Sequence, residues 1–341
     1  MTNSKLTAIL VCWQLLILFW VKMGIYIPQR SQNLGTVWQE NFEGKSFIDI
    51  SSRGYTDRDW HLFPMYPYAI ATLTRLVEDR ALSGIILSLG GTIIAMWCWI
   101  KLTQTDTTTI ITYLLFPTSF FLSAIYSEGL LLMWVMLTFY YAKQQKWPLV
   151  GLFGMFASYT HLFGLFLLPA MLVDCWQNKK HNRDLFWITP IFLGFWFYAS
   201  YVDLATGDYF KFFPYRSEQI VVWYQIVWRY FKTLVTLNVG TDYVVKVVEL
   251  LVGVIFGIIS IASFWKTRLS YAIFGFMVYF TPTLSGTFAT LPRLLLLNFG
   301  SFILIGKFLI NHPSLKWIIW GIEFILLGVF TLLFSRGYWV T

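Results

Sequence analysis

The sequence predicts an all-α, polytopic membrane protein. Of its residues, 57% are hydrophobic and only 12% are charged, and the mean hydropathy of +0.62 lies far above that of soluble domains. A first apolar run from Thr7 to Ile27 is long enough to cross the hydrocarbon core, and no small-residue cleavage site follows it. We therefore interpret this run as a retained membrane helix rather than a signal peptide.

Further apolar runs follow along the chain, each bounded by polar or turn residues. They cover residues 81–100, 107–125, 128–142, 148–176, 185–205, 244–265, 269–287, 293–310 and 315–334. The run at 148–176 is too long for one typical span and too short for two full ones.

Charge decides how this ambiguous run crosses the membrane. Lys143 and Lys146 precede it, and the basic cluster Lys179, Lys180 and Arg183 follows it, so both ends are expected in the cytoplasm. We predict two short helices that break near Thr160–Gly164. The bundle then has about eleven transmembrane helices, with the N-terminus in the cytoplasm and the C-terminus outside.

Polar regions gather on the outer side in this topology. The extracytoplasmic loop 28–80 contains FPMYP at 63–67, whose prolines restrict the backbone and favour an ordered re-entrant or interfacial segment. The stretch 206–243 alternates aromatic with basic residues, as amphipathic helices in a headgroup layer do; an aromatic belt gives the same pattern. No internal repeat or long linker divides residues 1–341, so we expect one transmembrane domain.

Several function classes lack support in the sequence. The net charge of +8 comes from basic residues scattered between apolar segments, which argues against nucleic acid as a partner. Cys12, Cys98 and Cys175 lie inside apolar runs at wide spacing, which excludes a disulfide framework and a cysteine metal site. No P-loop, GxGxxG or HExxH motif is present, so nucleotide, flavin and zinc chemistry have no basis.

Six segments, in this order, carry a family resemblance: FEGKSFIDISSRGY (42–55), HLFPMYP (61–67), LFPTSFFLSAIYSEGLLL (115–132), SYTHLFGLFLLP (158–169), LPRLLLLNFG (291–300) and SRGYWV (335–340). The chain resembles the GPI mannosyltransferase II family and its prokaryotic relatives, which belong to the GT-C superfamily of glycosyltransferases. The resemblance implies a GT-C-like bundle that transfers a hexose, with mannose favoured, from a polyprenyl-phosphate donor to a glycan or glycolipid acceptor, with inversion. It implies no cofactor beyond this co-substrate.

Two positions depart from the family pattern. Relatives usually begin the first-loop motif with Trp-Asp-Gly, where this chain has Phe42, Glu43 and Gly44. They tend to carry Thr-Arg where this chain has Thr160 and His161, which replaces a permanent cation with a group that titrates near neutrality. The absence of a retention signal favours a prokaryotic plasma membrane over the endoplasmic reticulum.

The implied reaction needs one carboxylate as base and cations or hydrogen bonds that stabilise a leaving phosphate. We predict Glu43 as the base; the alternative is a solvated loop acid. Asp49 is the local competitor, but in a helix it would not share a face with Glu43. Arg53 and His61 are first-loop candidates for substrate binding, although a histidine beside a tryptophan often packs at an interface.

Four more residues are candidates for substrate binding: Glu128, His161, Arg229 and Arg293. Each also has a structural interpretation. A carboxylate at position 128 begins a helix and suits its dipole, a lone histidine in an apolar segment is often a satisfied polar group, and the two arginines could snorkel to lipid phosphate. The LPR setting of Arg293 favours it for the donor phosphate.

Two questions stay open at this level. No metal site is predicted, but Glu43, Asp49 and Asp59 could supply oxygen ligands to a divalent ion. A lipid-linked glycan transporter or flippase would also need a basic cavity at the membrane surface, and the departures at positions 43 and 161 leave a non-catalytic partner of a glycosyltransferase complex as a further alternative.

Overall fold

A computed structural model describes residues 2–30, 35, 37–177, 185–213, 223–237 and 240–340. Regular secondary structure in this part of the chain is helical, without a strand. The helices are α1 (Asn3–Met23), α2 (Glu43–Arg53), α3 (Met65–Val77), α4 (Arg80–Thr103), α5 (Thr107–Leu115), α6 (Glu128–Lys143), α7 (Trp147–Thr160), α8 (Leu167–Gln177), α9 (Pro190–Thr206), α10 (Trp223–Thr236), α11 (Thr241–Lys266), α12 (Leu269–Thr283), α13 (Leu291–Leu294), α14 (Phe299–Ile310) and α15 (Pro313–Ser335).

Length and composition identify the helices that can cross a membrane. Among the described residues, α1, α4, α11 and α15 are long and apolar enough. Leu291–Leu297 and Phe299–Ile310 together form a further candidate, bent by 85° at Asn298. The predicted all-α membrane protein is confirmed at this level, whereas a count of eleven passes goes beyond these four or five helices.

The apolar run 107–125 is not one helix, contrary to the prediction that each run forms a span. Pro117 interrupts it, and the preceding Phe116 has an extended backbone (φ −53°, ψ 137°), as residues before proline do. The segment that follows is a short 3-10 helix, Ser119–Leu122, and a buried loop, so its polar groups need internal partners. The Thr118 hydroxyl donates to the Pro292 carbonyl at 2.8 Å, which attaches this segment to the start of α13.

The run 148–176 breaks where the sequence predicted. Helix α7 ends at Thr160, His161 is extended, and a 3-10 helix from Leu162 to Phe166 leads into α8. A Cβ at Gly164 would lie 2.1 Å from the carbonyl carbon of Ala157, so only glycine lets the chain turn back onto α7 at this distance. The basic cluster at 179–183 lies outside the described residues.

The segment between α1 and α4 folds onto the centre of the bundle. Helix α2 buries Phe47 and Ile50, and the Phe47 ring meets that of Tyr66 edge to face at 4.9 Å. The Ile125 amide donates to the Gln39 carbonyl at 3.1 Å. The start of α2 is therefore held beside the backbone that leads into α6.

The stretch 206–243 is described only in part, because residues 214–222 and 238–239 lie outside the described residues. Within it, α10 leaves Tyr224, Trp228, Phe231 and Val235 exposed. Their spacing of four, three and four residues forms one stripe along the helix. An exposed apolar stripe on a helix with basic residues is typical of helices that lie in the membrane interface.

Candidate functional site

Three ionic side chains from distant parts of the sequence form a buried cluster. Nη1 and Nη2 of Arg293 donate to Oε1 and Oε2 of Glu43 at 3.0 and 2.8 Å. Nε of Arg293 lies 2.6 Å from Oε1 of Glu128. The side chains of Arg293 and Glu128 are 7% and 2% exposed, whereas that of Glu43 is 23% exposed. Glu43 is thus the member of the cluster that an external molecule can reach.

The backbone places each of the three residues in a constrained way. Glu43 and Glu128 are the first residues of α2 and α6, where the helix dipole favours a carboxylate. Phe42, immediately before Glu43, has a left-handed backbone (φ 58°), and so has Thr290 before α13 (φ 68°). Such conformations cost energy in residues other than glycine and tend to persist at functional sites.

Two aromatic rings lie beside the guanidinium group. The Arg293 carbon Cζ lies 5.0 Å from the ring centroid of Tyr126 and 5.4 Å from that of Phe121, which is within cation–π range. The Tyr126 hydroxyl donates to the Asn41 carbonyl at 3.0 Å, and Nδ2 of Asn41 donates to the Phe334 carbonyl at 2.9 Å. These bonds connect the cluster to the last helix.

Arg293 controls the charge of Glu43. Burial by itself would raise the pKa of the Glu43 carboxyl, but the guanidinium outweighs burial and holds this pKa below its ordinary value. The carboxylate is therefore ionised at neutral pH. The contact to Glu128 is a close ion pair without an aligned hydrogen bond, since neither Glu128 oxygen has a hydrogen-bond partner among the described residues.

His161 lies beside this cluster as a neutral group. Burial and the charge of Arg293 lower its pKa to about 4, which corrects the expectation that position 161 titrates near neutrality. Its Nδ1 accepts from the Phe163 amide at 3.2 Å, so the proton is assigned to Nε2. His61 is close enough to lower the pKa of Glu43, and its Nδ1 lies 3.0 Å from the Arg58 carbonyl oxygen.

Three of the sequence candidates have partners outside the cluster. Arg53 Nη2 donates to Asp49 Oδ2 at 2.9 Å in a pair whose side chains are 61% and 36% exposed. Arg229 donates to the Gly286 carbonyl at 3.5 Å. The structure therefore does not support Asp49 or Arg53 as ligands of a substrate held at Glu43, because helical rotation carries both to the surface, whereas a role for Arg229 stays a prediction.

The oxygen ligands considered for a divalent ion do not converge. Glu43 pairs with Arg293, Asp49 pairs with Arg53, and Asp59 accepts from the Thr56 amide at 3.2 Å. In the part of the chain that the structure describes, no group of three or more His, Cys, Asp or Glu side chains could hold a metal ion.

Sequence reasoning missed an aromatic wall next to His161. Tyr55 stacks on Trp60 with a centroid distance of 5.1 Å, and Phe63 meets Tyr198 at 4.6 Å and His161 at 6.2 Å. The prolines of FPMYP indicated order in this loop, but aromatic residues are so frequent in the chain that no pattern distinguished these rings.

Comparison with models of known protein families finds no match, and no curated protein is significantly similar to the chain. The resemblance to the GPI mannosyltransferase II family therefore stays a prediction from the six quoted segments, and the site has to be interpreted from its own chemistry.

Proposed function

We propose that this chain is an integral-membrane glycosyltransferase that moves a hexose from a polyprenyl-phosphate donor to an acceptor hydroxyl on the extracytoplasmic face. The proposal includes a GT-C-like bundle of eleven passes, mannose as the favoured sugar and a prokaryotic plasma membrane. The observation that carries it is the buried cluster of Glu43, Arg293 and Glu128, because an ionic group inside a membrane protein is costly and tends to mark a functional site.

Glu43 is the base in this proposal. It is ionised at neutral pH and is the most exposed member of the cluster. The acceptor oxygen bonds to the anomeric carbon as the bond between that carbon and the phosphate oxygen breaks. The electron pair leaves with the polyprenyl phosphate, and the acceptor proton passes to Glu43. One carboxylate is enough, since phosphate leaves without full protonation.

Arg293 stabilises the leaving phosphate. A guanidinium group has five N–H donors in a planar fork that matches phosphate. One N–H on each Nη donates to Glu43, and Nε lies against Glu128, which leaves one further N–H on each Nη for an oxygen of the phosphate. Glu128 keeps the guanidinium in place and is a positioning residue, because it is too buried to meet the substrate.

His161 suits a sugar or phosphate oxygen, and the aromatic wall supports it from behind. The Nε2–H of a neutral imidazole can donate to a hydroxyl or phosphate oxygen without adding charge. Phe63 stacks near the imidazole, and Tyr55 stacks on Trp60 close by. Phe63 and Trp60 are 3% and 7% exposed, so these rings hold His161 in place and do not themselves form the surface that meets the sugar.

The bidentate bond between Arg293 and Glu43 also favours a second candidate, a non-catalytic partner of a glycosyltransferase complex. In such a protein the cluster would be a structural ion pair, and Glu43 would never release the guanidinium. Transfer by the isolated chain separates the enzyme from the non-catalytic partner and from a glycan transporter.

The test is transfer of label from polyprenyl-phosphate mannose, with polyprenyl-phosphate glucose in parallel, by the purified chain in detergent with a membrane glycolipid extract as acceptor. We expect a labelled, alkali-stable glycolipid whose formation saturates with donor. Absence of product with both donors, while the purified chain still binds polyprenyl phosphate, would exclude the enzyme and leave the non-catalytic partner and the glycan transporter.

A further inference from the structure

An elongated apolar groove of about 760 Å³ lies between α11, α14 and α15. On α11 its lining runs from Val248 to Lys266, roughly 27 Å of helix at about 1.5 Å per residue. Phe256, Leu304 and Leu326 belong to its walls. A groove of this length and lining accommodates a hydrocarbon chain that lies parallel to the helices.

One end of the groove is basic. Lys266 ends α11 and Lys307 lies in the last turn of α14, and both line the groove without an ion pair in the described part of the chain. Arg293 precedes α14, so the lysines lie at the opposite end of this helix from the Glu43 cluster. A lipid head group at the lysines therefore belongs to the other leaflet from the candidate active site.

A carboxyl oxygen that has no hydrogen-bond partner in the described part of the chain faces the same groove. Glu323 of α15 is part of the lining, and its Oε2 is buried with no partner among the described residues. A buried polar atom that lacks a partner is destabilising, and most such atoms in native proteins are paired with protein, water or ligand. The missing partner is thus expected to be a polar group of a molecule in the groove.

From these observations we infer that the groove binds one anionic phospholipid of the leaflet on the lysine side. Its phosphate lies between Lys266 and Lys307, an ester carbonyl accepts a hydrogen bond from the Glu323 carboxyl deeper in the groove, and an acyl chain follows α11. The apolar lining and the two lysines are both needed. Hydrophobic burial alone would accept any lipid, whereas the two cations select for a negatively charged one. This inference does not depend on the proposed transferase activity.

Native mass spectrometry of the purified full-length chain in detergent tests the inference. Dioleoyl phosphatidylglycerol and dioleoyl phosphatidylcholine are titrated separately. We expect one phosphatidylglycerol molecule to be retained with a preference on the order of tenfold or more, because each basic residue near an anionic lipid contributes to binding. Lys266→Gln with Lys307→Gln should remove the preference, and the matched pair Lys5→Gln with Lys101→Gln, outside the groove, should leave it unchanged.

The carboxyl is tested separately with two substitutions at one position. Glu323→Leu should reduce retention of both lipids without altering the preference, and Glu323→Gln, which keeps a hydrogen-bond donor, should retain more lipid than the leucine variant. Equal retention of the two lipids by the unmodified chain would overturn the inference. So would displacement of phosphatidylglycerol by polyprenyl phosphate at one-to-one stoichiometry, because the groove would then hold the tail of a different lipid.

Discussion

Arg293 compensates two carboxylates at once, so its replacement should destabilise the protein strongly. In Arg293→Gln, the 2%-exposed Glu128 loses its cation and has to stay charged or bind a proton, either of which costs free energy, and Glu43 loses its bidentate partner. Removal of one partner from a buried ion pair costs about 3–5 kcal/mol, most of which is the cost of the charge left behind. We expect a loss of stability near the upper end of this range, because two charges are left instead of one.

A second substitution separates the cost of the stranded charge from the loss of packing. Glu128→Gln in the Arg293→Gln background removes the more buried carboxylate and should recover about 2 kcal/mol or more. Arg53→Gln is the matched control, since it also removes an arginine from a carboxylate. The Asp49–Arg53 pair is largely exposed, so we expect a change of less than about 1 kcal/mol.

Tryptophan fluorescence during heating in detergent measures the midpoint of unfolding of the unmodified chain and of the three variants. One fixed scan rate is used, since membrane proteins often unfold irreversibly. We expect the highest unfolding midpoint for Arg53→Gln, a lower one for the double variant and the lowest for Arg293→Gln. If Arg293→Gln unfolds at the same temperature as the unmodified chain, or if adding Glu128→Gln to Arg293→Gln does not raise the unfolding midpoint, the three side chains do not form a coupled ionic cluster.

Three further predictions follow from the same geometry. Glu43→Gln should lower turnover by roughly a hundredfold or more while donor binding persists, and Asp49→Asn should have little effect. The pKa of His161 is about 4 in the folded chain, below its value of about 6.5 in the unfolded chain, so His161 contributes its full stabilisation above about pH 6.5 and loses it as the pH falls towards 4. The free energy of unfolding should therefore drop by up to about 2 kcal/mol between pH 7 and 5. The drop should be smaller in His161→Asn. Cysteines at Arg58 and Gln177, in a chain with Cys12→Ser, should label from opposite sides of the membrane.

Each of these predictions has an outcome that contradicts it. Full activity of Glu43→Gln together with an inactive Asp49→Asn would show that Asp49, and not Glu43, is the base. An identical acid-side decline in the unmodified chain and in His161→Asn would remove His161 as its source. Labelling of both cysteines from outside would refute the topology in which Thr160–Gly164 faces outward between two cytoplasmic ends.

The sequence by itself determined the class of the protein and one local break. Composition indicates a helical membrane protein because a bilayer requires apolar helices with internally bonded backbones. The sequence also predicted the position of the break in 148–176, because this run is too long for one span and Gly164 lies near its middle. The break in 107–125 was missed although Pro117 is visible, because hydropathy measures apolar length and not whether the backbone is helical.

Only the tertiary structure decided which of the scattered charges act together. Glu43 and Arg293 are 250 positions apart, and Glu128 is distant from both, so no spacing rule predicts that they meet. Asp49 resembles Glu43 in sequence, as a second acid in the same loop, but six residues of helix turn it towards the surface, where it pairs with Arg53. The chemistry of a carboxylate depends on what lies within a few ångströms of it, and in a bundle those neighbours come from helices that the sequence places far apart.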